Sequence, residues 1–405
     1  MGADKLRLRR LVAGTAEFDS GLAELRRQLS PSGDVVSPQG RALTERVFGQ
    51  PLSPVEVVER ICRDVAQQGR AAVDHYSQQL DGHPLPDPPE IACEAMEQAH
   101  RQADPAFLHA VRQIRQNIMD FQQAILHRSV VHRPRPGVQL EQVYTPLQRV
   151  GVCVPGGAAA YPSTVLMTVV PAQAAGVDEI VVVAPPTPFG AYNQDMLAVC
   201  HELEIRHVYP VGGAQAVAAL AYGIEGIAPV DKIVGPGNLF VALAKKFVYG
   251  TVDIDSIAGP SEVVVIADQS TDPAWTAADM LAQAEHSPGA SLLVTWDPEF
   301  PDRVEQQLEL QLQGLERRDL TIDSLNAFGA VLIVRDVDQA CQTVDLIAPE
   351  HLHVSCRDAR TVAQRIRHAG ATFIGPYTPV AVGDYWDGPS HTLPTGMTAR
   401  FFSPL

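Results

Sequence analysis

Gln283 and His286 close a segment, Asp272 to His286, whose pattern predicts a helix. Asp272 can serve as its N-cap, Pro273 suits the first helical position, and Ser287-Pro288-Gly289 stops it. Residues three apart share a helix face, so an amide oxygen and an imidazole point at one spot in the last turn. A mixed oxygen/nitrogen pair suits a borderline metal such as zinc, kept partly open for substrate. The same spacing also arises by chance on many helices. Glu350 and His351 stand side by side in APEHLHV, where a carboxylate and an imidazole could supply two separate proton transfers to one substrate. The plainer reading is a solvated turn before a strand. Ser261, in AGPSE, opens a strand as a substrate hydrogen-bond donor or as part of a turn; no His/Asp constellation makes it a nucleophile. Asp384 and His391 lie in VGDYWDGPSHTLPTG, a loop of the kind that carries sites, although an aspartate after glycine is also an ordinary turn former.

Three glycine turns, at 156–157, 212–213 and 235–237, each follow an apolar run and precede a helical one. Such turns let backbone N–H groups approach a phosphate at a helix N-terminus, or serve only as tight turns. None is a full GxGxxG. Gln215 and Asn238 come just after two of them, placed either to hydrogen-bond a ribose or nicotinamide or simply to cap a helix.

The elements that must position these groups are legible from period and punctuation. A helical arm (FDSGLAELRRQL) and a Ser/Pro/Gly linker come first. SPVEVVERICRDVAQQGRAAVDHYSQQLDG predicts one or two helices, and DPAFLHAVRQIRQNIMDFQQAILHR a longer one. From about residue 139 short β-branched runs alternate with helices: VGVCV, EIVVVA, HVYPV, DKIV, then EVVVIAD, ASLLVTW, GAVLIVRD, HLHVSC and ATFIG. That alternation means α/β with parallel sheets covered on both faces, and the run of strands is long enough for two sheets.

At 405 residues the chain has room for two or three domains, and 46% hydrophobic with 19% charged residues is an ordinary globular composition. A net charge of −16 repels phosphate backbones and anionic lipid, which argues against nucleic acid and membrane as partners. The six cysteines form no CxxC pair, so a reducing cytoplasm is expected rather than a disulfide scaffold. The N-terminus lacks the apolar core of a signal peptide. No charged residue occurs from Val150 to Val177, but Pro155, Gly156, Gly157, Pro162 and Pro171 interrupt the run, which fits a buried interior and not a membrane span.

Taken in order, RVGVCVPGG, VGGAQAVAALAYG, VDKIVGPGN, AGPSEVVVIAD, LAQAEHSP, APEHLHV and VGDYWDGPSHTLPTG resemble the histidinol dehydrogenases over roughly residues 50–405. The resemblance implies two incomplete Rossmann-like domains with parallel sheets, an N-terminal helical arm, and a homodimer. It divides the chain into an arm and linker (1–47), a discontinuous α/β domain (48–138 and 263–392), an inserted Rossmann-like domain (139–262) and a tail (393–405). It implies oxidation of L-histidinol to L-histidine through the aldehyde by two hydride transfers to NAD. Gln283, His286 and Asp384 become zinc ligands that also meet substrate, together with Ser261 and His351. Glu350 and His351 become the catalytic pair, and Gln215, Asn238 and Cys153 the NAD contacts.

Three departures accompany it. The family runs on into a helical tail with a fourth zinc ligand and a substrate-holding glutamate, whereas this sequence ends at Leu405, so a three-ligand site is expected. Cys153 replaces a usual tyrosine. Val380 replaces a usual glutamate, removing a charge-assisted hydrogen bond of about 1.5–3 kcal/mol. Two other readings follow from these changes: a binding or scaffolding subunit, or a dehydrogenase for another small alcohol.

Overall fold

The computed structural model describes residues 5–30, 44–156, 159–284 and 289–405. Its contacts divide into two units. One comprises Met1–Ser32, Ser256–Asp384 and Leu393–Pro404, and the other Gly33–Asp255 with Tyr385–Thr392 and Leu405.

The first unit is built on a parallel sheet. Its described strands are β1 (Arg9–Val12), β9 (Ser261–Ala267), β10 (Gly289–Thr295), β11 (Ala330–Ile333), β12 (His351–Ser355) and β13 (Ala371–Ile374). Their order is β1-β11-β10-β9-β12-β13. Continuous β-branched runs suit strands covered on both faces, and alternate residues of β9 feed opposite cores. Val264 and Ile266 join Leu292, Leu332 and Leu352 on one face. Val263 and Val265 join Ala277, Met280 and Leu281 of the helix Pro273–Ala284 on the other.

In the second unit the described strands β4 (Arg149–Cys153), β5 (Glu179–Ala184), β6 (His207–Pro210), β7 (Lys232–Val234) and β8 (Asp253–Ile254) form a second parallel sheet, in the order β6-β5-β4-β7-β8. Counting from its first inner strand, each sheet runs 3-2-1-4-5, the order of a Rossmann-type mononucleotide unit, with β1 added outside the first unit's sheet. The expected α/β class with two incomplete Rossmann-like units is what the structure has.

Three local expectations need correction. Residues 48–138 do not belong with 263–392. The helix Pro54–Gln68 packs on Gly213–Tyr222 and Leu239–Val248, Cys93–Gln102 on Gln194–Glu202, and Pro105–Ile125 on Pro162–Ala174. Their apolar stripes cover the helices that flank the sheet of the second unit, which otherwise would be half-wrapped. The N-terminal arm is not wholly helical: Arg9–Val12 adds an edge strand, its apolar alternation hidden by arginines, with only Leu11 buried. Between the helix Pro105–Ile125 and β4 an antiparallel hairpin, β2 (Val130–Arg135) and β3 (Val138–Gln142), appears where no element was expected. Elsewhere the helix boundaries follow their caps. Ser53 and Glu56 form a full capping box, and Asp272 accepts from the Ala274 N–H at 2.9 Å at the start of Pro273–Ala284.

Candidate functional site

The chemistry-bearing residues of the first unit gather at one edge of its sheet. Ser261 and His351 are the first residues of β9 and β12, adjacent central strands, with His351 opposite Val263. This is the amino edge, not the carboxyl edge where open α/β sheets usually bind ligands. Helices that return between parallel strands finish at the amino edge. Pro273–Ala284 ends there with Gln283, and Val337–Ile347 ends there just before Glu350, through a left-handed Ala348. Helix C-termini carry about half a negative charge each, so this edge favours a cation.

Glu350 and His351 are both nearly buried. His351 Nε2 faces Asp384 Oδ1 at 3.0 Å, and its Nδ1 lies 3.8 Å from Glu350 Oε2. Ser261 is near enough to the Glu350 carboxyl to favour its charged form slightly. His351 Nδ1 and Glu350 Oε2 are left without hydrogen-bond partners. Burial pushes the Glu350 carboxyl up, the His351 charge pulls it back, and the result is about 7. Burial would lower His351, but Glu350 and Asp384 together carry it above its ordinary value. A carboxyl poised near neutral pH therefore stands beside an imidazole held above its ordinary range, with their free atoms close together.

Beneath them lies Glu262, a fully buried carboxylate that sequence reasoning passed over. It accepts from the Glu350 N–H at 3.3 Å and the Met397 N–H at 3.2 Å. Burial and the Glu350 charge raise it well above the carboxylate range. A signal existed: it is the one acidic residue opening an otherwise apolar strand, SEVVVIA. Also unforeseen is a buried pair between Asp279 and His353, on the face shared by β12 and the helix Pro273–Ala284. Val380, expected beside a cationic substrate, is buried among apolar residues that include Phe373, and Gly383 packs on the same ring.

Of the expected metal donors, Gln283 is nearly buried at the end of its helix and Asp384 is partly open, its side chain 23% exposed. His286 lies outside the described residues, as does Gly157. Among the described residues no three His, Cys, Asp or Glu side chains cluster as a metal centre. The amide of Gln283, on a helix that ends at this edge, and the Asp384 carboxylate, which meets the His351 ring, are oxygen donors of the kind a divalent cation takes.

The expected cofactor contacts all lie in the second unit, at the carboxyl edge of its sheet. The strand order reverses between β4, which ends at Cys153, and β7, which runs into Gly235. Gly235 has φ +102°, and a Cβ there would overlap the Cys153 carbonyl oxygen. Only glycine allows that approach. The turn is held from below by a buried ion pair that sequence reasoning did not single out: Asp255 accepts from the Gly235 N–H at 2.7 Å, and Lys245 donates to the Gly235 carbonyl at 3.0 Å. Asn238 acts as an N-cap, accepting from the Phe240 and Val241 N–H groups. Gln215 donates to Asp81 at 3.0 Å, and its buried Oε1 has no partner. The Cys153 thiol is buried, which pushes it up to about 12, so it is an apolar wall and not a reactive group. A glycine cradle at the sheet's switch point, with an orphaned amide oxygen on the helix that follows β6 at the same edge, fits a dinucleotide.

The family model for histidinol dehydrogenase matches residues 50–405. Histidinol dehydrogenase of Rhodopirellula baltica is 59% identical over 392 residues, covering 96% of this chain and 85% of the relative. That of Aquifex aeolicus is 47% identical over 350 residues, covering 86% and 81%. Among solved structures, histidinol dehydrogenase from Elizabethkingia anophelis superposes with a TM-score of 0.87 at 28% identity, covering 99% of this chain and 88% of that one. A family model matched over residues 50–405 and identities at this level over most of the chain admit one assignment: the chain belongs to the histidinol dehydrogenase family.

Proposed function

We propose that the chain oxidises L-histidinol to L-histidine, drawing on zinc and NAD, as the closing reaction of histidine biosynthesis. One observation carries the reading: two buried, unpartnered proton-transfer atoms, His351 Nδ1 and Glu350 Oε2, 3.8 Å apart at a cation-favouring edge. His351 takes the alcohol proton as the hydride departs. Glu350 takes a proton from the water that adds to the aldehyde, and His351 serves again in the second oxidation. Ser261 orients Glu350 and the substrate. Gln283, His286 and Asp384 would hold zinc, which would supply a positive centre for the amino alcohol, and Gln215, Asn238 and Cys153 would hold NAD, which would supply the hydride acceptor. The balance is one histidinol and one water against two NAD.

The working form is a homodimer. Support comes from the hairpin: nearly all of β2 and β3 is exposed, and isolated two-stranded hairpins are marginal in water. Val130, Val131 and Leu140 stand open there, with Ile125, Leu126 and Tyr144 in the flanking segments. A cytoplasmic location accords with six free cysteines, and no described helix is long and apolar enough to cross a membrane.

The test is direct. Purified protein with histidinol, NAD and zinc should produce two NADH per histidinol, followed by nicotinamide absorbance. A flat trace from well-folded, zinc-loaded protein rejects the reading.

A further inference from the structure

His353 lies two residues along β12 from His351, so both imidazoles leave the same face of the strand, towards the helix Pro273–Ala284. It is 2% exposed, yet both ring nitrogens are engaged. Nδ1 pairs with the Asp279 carboxylate, and Nε2 lies 2.9 Å from the Gly375 carbonyl oxygen. A carboxylate and a carbonyl can only accept, so each ring nitrogen must bring a hydrogen and the ring is an imidazolium. Burial works against that charge; the Asp279 and Gly375 bonds outweigh it and hold the group above its ordinary value.

The partners come from three separate segments, and each segment leads to a residue of the proposed site. Asp279 is four residues before Gln283, one turn away on the same helix face. His353 follows His351 on β12. Gly375 starts the connection from β13 to the helix Val380–Tyr385, which carries Asp384. Against β9 the helix packs through apolar side chains, Ala277, Met280 and Leu281 on Val263 and Val265, and from β10 the Ser291 hydroxyl donates to the Met280 carbonyl at 2.7 Å. Apolar packing sets distance well but resists small slides and rotations poorly. A buried charge pair adds little net stability because both groups are desolvated, and what it can fix is register.

We propose that His353, clamped between Asp279 and the Gly375 carbonyl, is a positioning residue for the histidinol site: it sets the Gln283 helix and the Asp384 segment against the strand that carries His351. The roles of those three residues rest on the proposed function. The clamp itself rests on its hydrogen bonds, so the two can fail separately.

The full chain carrying His353→Leu, His353→Gln or Asp279→Asn is compared with wild type in two measurements. Amide hydrogen exchange should quicken about tenfold or more in peptides spanning 277–284 and 375–384 of His353→Leu, while 263–267 in the core strand keeps its protection. With histidinol and NAD, kcat should fall about ten- to a hundredfold and the histidinol KM should rise, with the NAD KM unchanged. His353→Gln, whose amide can still donate to one acceptor, should recover part of both effects. If His353→Leu is too unstable to purify, His353→Gln and Asp279→Asn carry the comparison with smaller changes of the same sign. Wild-type exchange in both peptides of a folded variant overturns the proposal. So does faster exchange with unaltered histidinol kinetics, or an equal loss of NAD affinity. A wild-type chain that turns over no histidinol rejects the proposed function, and the exchange comparison then decides the clamp by itself.

Discussion

Glu350 owes its acidity to what surrounds it. Burial lifts the carboxyl from 4.5 to about 7, so between those values the folded chain keeps a proton that the unfolded chain has released. The stability this group contributes is full below the unfolded pKa and is lost as pH rises through the folded one. Glu350→Gln holds the side chain neutral at every pH. Metal-free Glu350→Gln should therefore melt above metal-free wild type at about pH 8, with the gap closing below about pH 4.5. Thermal scans at the two pH values check it, and an equal melting temperature at the higher one contradicts the burial account. His351 is the complementary case. His351→Asn should fold normally and lose about 10²–10⁴-fold in kcat/KM for histidinol, and near wild-type turnover removes it from the mechanism. Both residues could be picked from APEHLHV by type. Their shifted acidities could not, because burial comes first among the causes and, beyond the neighbours' mutual charge, Asp384 acts on both from 33 or more positions away.

At the scale of elements, the turns and caps of the second unit make distinguishable predictions. Gly235→Ala puts a Cβ into the Cys153 carbonyl at a backbone angle that L side chains avoid. It should cost on the order of 1–3 kcal/mol or more in urea unfolding, well beyond an exposed-loop substitution. Asn238 is subtler, since capping and cofactor contact are compatible. Asn238→Ala should lose about 1 kcal/mol of stability with its cap. Asn238→Asp keeps the cap, so a raised NAD KM at unchanged melting temperature identifies a cofactor contact, and an unchanged KM leaves only the cap. Asn238 followed by an apolar run already signalled a helix start. That Lys245 and Asp255 grip the turn from beneath was hidden, because a lysine inside LFVALAKKFV looks like one solvated position on an amphipathic helix.

For the whole molecule, the sheet order explains why one fold can present two unlike edges. In the second unit helix N-termini follow the glycine turns at the carboxyl edge, which suits a pyrophosphate. In the first unit the residues collect where helices end, which suits a cation. The chain is expected to sediment as a dimer. Leu140→Glu changes a residue that is 55% exposed, so it should leave the monomer folded while shifting the dimer towards monomer. Analytical ultracentrifugation decides it, and a chain that is monomeric throughout rejects the dimer.

The sequence by itself determined the α/β class, the turn and cap positions, and the family, because period, punctuation and ordered motifs are local properties of the chain. It also offered Ser261, Glu350, His351 and Asp384 as candidates. Only the tertiary structure decided that His351 meets Asp384 across 33 positions, that Glu262 and His353 are buried ionisable groups, and that the helices of residues 48–138 pack on the helices of the second unit. Those facts depend on strand order and on which helix faces which strand. Both are set by burying apolar surface over long sequence separations, and no window of neighbouring residues records that.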